Sequence, residues 1–233
     1  VVVEPDERAL DRPRRLTGTV TVEDTASFQA YVSKFYDVDY TTAWVDLDNC
    51  RVTGVLNDAK LDHPGWRDHR AVLQLVRTPE WKRWLGLDGK IGSQETFARH
   101  IELSEPDIVS PDAAELLELA QTFHATTSSE FRSGLRLSTG EVQFQYVEET
   151  NATAGSKGDL TIPKEFGLLI SPFRGEQPVP VTALLRYRVR DGQLAIGYEL
   201  VRPDDVEASV MERIANDLRD SIERVYLGSP AGA

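Results

Sequence analysis

One cysteine, one methionine and four histidines in 233 residues leave little of the usual reactive chemistry to draw on. Cys50 has no second cysteine to pair with, so an intrachain disulfide is impossible and a zinc site built on several thiolates is equally excluded. That pattern fits a reducing cytoplasm. Long apolar runs are missing too. Nothing approaches the roughly 20 residues that cross a bilayer, and Val1-Val2-Val3 is too short for the apolar stretch of a secretion signal. Positive charge is also short, with 26 Lys and Arg against 38 Asp and Glu and a formal charge of −12. Duplex binding needs basic side chains to displace phosphate counterions, so this balance argues against nucleic acid as a partner.

Several catalytic signatures are absent as well. Gly155-Ser156-Lys157-Gly158 lacks the spacing of a phosphate-binding P-loop, and there is no GxGxxG, GxSxG or HExxH motif. The paired acids Glu148-Glu149 and Asp46/Asp48 read as solvated strand ends. No cofactor is implied.

What is present is ordinary globular composition, 40% hydrophobic and 27% charged, enough to bury a core without disulfide or metal. Residues 1–14 read as an arm with no core of its own, and 227–233 as a tail. From Leu16 to Val22 apolar or small residues alternate with threonines, which predicts a half-buried strand. Asp24 is placed to cap a helix whose Phe28, Tyr31, Val32 and Phe35 share one face. Runs 42–47 and 51–56 flank Asp48-Asn49 as a hairpin, 69–76 is a further strand, and helices start at Pro79, after Ser93 and after Ser110-Pro111-Asp112.

Beyond Phe131 the chain turns mostly to strand, with hairpins around Ser138-Thr139-Gly140 and Asp191-Gly192. Pro203-Asp204-Asp205 opens a last helix whose Val206, Val210, Ile214, Leu218, Ile222 and Val225 form one apolar stripe roughly 33 Å long. The expected fold is α+β: antiparallel sheets built from hairpins, packed with several helices including a long C-terminal one. Residues 15–226 form one such domain, or two lobes meeting near 109–131.

Chemistry concentrates in Pro64-Gly65-Trp66-Arg67-Asp68-His69-Arg70. His63, Asp68 and His69 are candidate metal ligands, although adjacent strand residues 68 and 69 point to opposite faces. In the competing reading Trp66, Asp68, Arg70 and Trp81 anchor loops structurally, with an Asp68–Arg70 salt bridge. Trp81, Trp84 and Leu85 read as core or interface. Arg186, Arg188 and Arg190 share one strand face opposite Glu199, which predicts cross-strand ion pairing, an anion site being the alternative.

The heptapeptide, with Pro79-Glu80-Trp81, Ser93-Gln94-Glu95, residues 133–137, 142–149 and Leu185-Arg186-Tyr187-Arg188, resembles the YfdQ-like family of uncharacterised phage and prophage proteins over about 20–203. The chain departs from that pattern at Arg67, where relatives carry a small residue, and at Arg99-His100, where acidic or aromatic residues are usual. The resemblance implies phage origin and expression in the host bacterial cytoplasm, and no catalytic residues.

The function expected first is therefore a non-catalytic protein that self-assembles into a homo-oligomer, a ring or cage included, with Val206, Val210, Ile214, Leu218 and Ile222 at the interface. The alternatives are a metal-dependent hydrolase of a nucleotide or phosphate compound, and an acidic inhibitor or decoy of a host DNA-processing or defence protein.

Overall fold

The computed structural model describes residues 10–60, 62–132, 145–153, 162–190 and 193–230. The fold is α+β, as expected, with two mostly antiparallel five-stranded sheets and five helices among the described residues. The chain divides into two compact units. The first comprises Val1–Thr78, Pro172–Gln177 and Asp204–Ala233, the second Pro79–Ser171 and Pro178–Pro203. The stretch 109–131, where two lobes were expected to meet, lies inside the second unit. The sequence reading followed chain order, whereas the first unit is completed by the last helix returning from the far end of the chain.

In the first unit, β1 (Gly18–Val22), α1 (Thr25–Lys34), β2 (Thr42–Asp46), β3 (Arg51–Val55) and β4 (His69–Gln74) follow the expected order. Asp24 caps α1 by accepting from the Ser27 amide at 2.8 Å. The sheet order is β1-β4-β3-β2, closed at the far edge by a strand from the end of the chain, Val225–Leu227. Both edge strands are parallel to their neighbours, and the interior pairs are antiparallel. Opposed residues share a face, so Ala43, Val45, Val52, Gly54, Ala71 and Leu73 form one wall. On that wall the missing side chain of Gly54 lets the Phe28 and Val32 side chains of α1 approach. Thr42 and Trp44 occupy the opposite face.

In the second unit, α2 (Pro79–Leu87), β5 (Ile91–Ser93), α3 (Gln94–Leu103), β6 (Ile108–Ser110), α4 (Ala113–Thr122), β7 (His124–Arg132), β8 (Gln145–Thr153), β9 (Glu165–Ile170), β10 (Val179–Arg190) and β11 (Gln193–Leu200) follow in order. Its sheet runs β5-β11-β10-β9-β6, and β7 pairs with β8 alone. The long hairpin holds: Arg190 pairs with Gln193 across two residues. Those two, Asp191-Gly192, lie outside the described residues, as do the turn expected at 138–140, Gly155-Ser156-Lys157-Gly158 and residues 1–9 of the expected arm.

Three predictions about the first unit need correction. The last helix, α5 (Pro203–Arg219), spans about 26 Å at 1.5 Å per residue, and Ile222 lies beyond it. Asp220 and Ser221 take turn bonds to Asp217 and Leu218, and Val225 opens the edge strand, now β12. The apolar stripe is not waiting for a partner either. Val210, Ile214 and Leu218 are fully buried, Ile222 nearly so, and Val206 partly covered, all by their own chain. The proposed interface is core. β1 differs in the opposite sense: expected half-buried, it is exposed over Gly18–Thr21.

Candidate functional site

The heptapeptide forms a loop whose residues are set by close backbone approach. At Gly65 the chain crosses Asn57-Asp58 so tightly that a Cβ would lie 2.2 Å from the Asn57 carbonyl oxygen and 2.4 Å from that of Asp58. Arg67 follows in the left-handed region at φ 59°, with its N–H donating to the Asn57 carbonyl at 3.2 Å and its own carbonyl accepting from Arg70 Nε at 2.7 Å. Asn57 clamps the exit: its Oδ1 accepts from the His69 amide at 3.0 Å and its Nδ2 donates to Asp68 at 2.8 Å.

The three candidate metal ligands point to three different places. His63 is exposed and meets Asp62 at 3.1 Å. Asp68 binds Arg15 and Asn57, which hold its carboxyl below the usual range. His69 is buried on the α1 face, with Nε2 3.2 Å from the Tyr31 hydroxyl and its ring 4.9 Å from that of Phe35. Burial pushes its pKa down, against the opposing pull of Asp68. Among the described residues, no three His, Cys, Asp or Glu side chains gather as ligands would around a metal ion. The hydrolase reading therefore loses the residues it was built on.

The expected loop anchors divide similarly. Asp68 and Arg70 do fix the loop, but Asp68 pairs with Arg15 instead of Arg70. Trp66 anchors nothing inward: it is 77% exposed, with the Arg15 guanidinium 5.1 Å from its ring centroid. Trp81 is fully buried core of the second unit, as is Trp84. Arg186 pairs with Glu199 at 2.9 Å, the cross-strand ion pair that alternation predicted.

Residues 67 and 68 point to opposite sides of the loop and so define two surfaces. On the Asp68 side lies the edge strand β1, bonded to the loop through Gly18 N–H and the Asp68 carbonyl at 2.7 Å. On the Arg67 side lies an open cleft of about 710 Å³. Its floor is Thr42 and Trp44 of β2 beside Tyr226 of β12, the two aromatic rings 4.7 Å apart. Buried Asp58 is held there by the Thr42 hydroxyl at 2.6 Å, the Ala59 amide at 2.8 Å and the Arg67 guanidinium at 2.9 Å. Lys60 pairs with Asp39, and Arg224 donates to the Asp39 carbonyl at 2.8 Å.

Trp44, Tyr226, Asp58 and Arg224 were not singled out from sequence. The available signal was Trp44, an aromatic on the otherwise polar face of an alternating strand whose other face, Ala43 and Val45, is fully buried.

The second unit holds a buried aromatic cluster. The Trp84 indole N–H donates to Asp107 at 2.8 Å, the Tyr198 hydroxyl donates to the Trp84 carbonyl at 2.6 Å, and the His100 ring stacks on Tyr198 at 5.3 Å. His100 Nε2 has no hydrogen-bond partner among the described residues, and burial lowers its pKa to about 4.

A family model described as an uncharacterized conserved protein, DUF2303, matches residues 5–230. No curated protein and no solved structure matches the chain.

Proposed function

Since the chain belongs to the DUF2303 family of uncharacterized conserved proteins, we propose a function from its own geometry: a non-catalytic protein of phage or prophage origin that assembles with copies of itself. The YfdQ-like motifs support that origin, and with it a place in the host bacterial cytoplasm. No helix among the described residues is long and apolar enough to cross a membrane.

The observation that carries self-association is the β1 edge. In a chain that is 27% charged, Thr17 to Val22 contains no charge, no proline and no bulge against β4. Natural sheets usually blunt an exposed edge with such devices, because its free N–H and C=O groups template pairing with another chain. Gly18 donates inward to Asp68, so strand alternation turns the Thr19 and Thr21 amides outward. Val20 of β1 stands 37% exposed and Leu16, two residues ahead of the strand, 51%, and Trp66 is exposed on the loop that Gly18 bonds. A second copy offers the same uncharged edge, and two such edges pair antiparallel about a two-fold axis. Elsewhere, copies carrying −12 each repel one another.

Sedimentation velocity of the full chain tests this. The expectation is a species of at least twice 26.0 kDa at micromolar concentration. Thr19→Pro, which removes an outward amide and leaves the inward ladder intact, and Val20→Lys both return a monomer with unchanged circular dichroism. A monomeric parent chain, or assembly indifferent to both substitutions, overturns the reading.

A further inference from the structure

We propose that the cleft beside β2 and β12 binds a small planar anion, its ring lying on the Trp44–Tyr226 wall and its carboxylate or phosphate held by Arg224 and Arg67. The argument begins with charge. Three carboxylates line the cleft, and each has a basic partner close by: Asp39 has Lys60, Asp58 has Arg67, and Asp62 has His63. Arg224 differs. Its hydrogen bond goes to a neutral acceptor, the Asp39 carbonyl, and among the described residues no carboxylate lies within ion-pair distance of it. A guanidinium has five donors in a rigid fork, so most of Arg224's capacity is unspent.

Arg67 lines the same cleft, its side chain 28% exposed. Its Nε lies 2.9 Å from Asp58 Oδ1 yet off the line of a hydrogen bond, so this buried N–H has charge compensation but no acceptor. The backbone holds Arg67 there in a left-handed conformation that a non-glycine residue adopts at a cost of about 1 kcal/mol. Strain of this kind persists where surrounding structure over-determines it, commonly at ligand sites. Two guanidiniums, that of Arg224 with donors to spare, thus line one cleft with an aromatic floor. The Trp44 indole N–H is already committed to Thr42 at 3.1 Å, which leaves the ring itself as the contact surface. A volume of about 710 Å³ lies within the range that takes ligands of nucleotide size. Aromatic faces and arginine forks together select a flat ring carrying an anionic group.

Isothermal titration of the full chain with adenosine 5′-monophosphate and with indole-3-acetate tests the site and separates its two sources of anion, phosphate and carboxylate. Adenosine and inorganic phosphate serve as controls. At least one of the two ring anions is expected to bind with Kd below about 1 mM. Its affinity should fall about tenfold or more in Arg224→Gln, the loss typical of a charge-assisted hydrogen bond. Tyr226→Ala weakens it too, and both variants melt as the parent does. Binding of only one ring anion identifies the source. If neither anion binds, if Arg224→Gln leaves affinity unchanged, or if inorganic phosphate binds as tightly as the nucleotide, the proposal falls. None of these outcomes bears on the β1 edge.

Discussion

Arg77 and Glu207, 130 residues apart, close a two-pronged ion pair in which Nε and Nη2 reach the two carboxylate oxygens at 2.6 and 2.8 Å. Glu207 projects from the buried side of α5, and Cys50 Sγ lies 3.7 Å from the same carboxylate. The pair lets a carboxylate sit within the apolar stripe that packs this helix, and the carboxylate adds to the effect of burial on the thiol. Burial first, and the negative charge of Glu207 second, push Cys50 up to about 11, while Arg77 opposes them.

Substitutions at the two ends of that pair should therefore move Cys50 in opposite directions. Glu207→Gln removes a charge that disfavours the thiolate, so alkylation by iodoacetamide at mildly alkaline pH is expected to accelerate. Arg77→Met keeps most of the stem and removes the favourable charge, so alkylation slows. It also strands a buried carboxylate without its guanidinium. The expected loss is about 2 kcal/mol in denaturant unfolding, below the value for a fully buried pair because Arg77 is half exposed. Acceleration in both variants would mean that opening of the fold, and not local charge, governs the thiol.

His100 predicts a pH dependence. In the folded chain its pKa lies near 4, lowered first by burial and then by Arg83, against 6.5 when unfolded. Between those values the unfolded chain binds a proton that the folded chain refuses. Stability from this group is therefore complete above about pH 6.5, falls as pH drops toward 4 and is flat below, by about 3 kcal/mol in total. Asp107 in the same cluster is raised by burial and acts in the opposite sense, which makes the difference between variant and parent the informative quantity. His100→Phe retains a ring against Tyr198 and removes the unpartnered nitrogen. It should unfold at an equal or higher temperature at pH 7 and lose the slope between pH 6.5 and 4. A variant that keeps the parent slope would place the titrating group elsewhere.

Local elements were legible because their signals are local. The Asp24 cap, Pro79 at a first helical turn, Ser93 ahead of Glu95 and the long hairpin through 191–192 each depend on a few neighbouring residues. β5, β6 and β12, three residues each, are too short to show a period. The apolar stripe of α5 was read correctly as needing cover and wrongly as needing a second copy. Periodicity reports that a face is buried, and nothing in it says by what. The exposed β1 shows the converse, since alternation alone does not distinguish an interior strand from an edge.

The cleft was invisible for a different reason. Thr42, Trp44, Asp58, Arg67, Arg224 and Tyr226 come from three separate stretches of chain, joined only when β12 pairs with β2. The heptapeptide stood out in sequence through its rare residues, and the structure gives those residues backbone reasons. That distinction is open to a direct test at Gly65. Alanine there would place a methyl group 2.2 Å from one carbonyl oxygen and 2.4 Å from the next, both of them backbone atoms that cannot swing aside. Gly65→Ala should cost about 1–3 kcal/mol, as overpacking commonly does, and displace Asp58 and Arg67 from the cleft. Arg67→Gly acts differently: it relaxes the left-handed position but removes the counter-charge of Asp58, so stability changes by less than about 1 kcal/mol. Thermal unfolding of both variants decides the matter. If Gly65→Ala were neutral and Arg67→Gly severe, the loop would be held by the arginine side chain and not by the close crossing of its backbone.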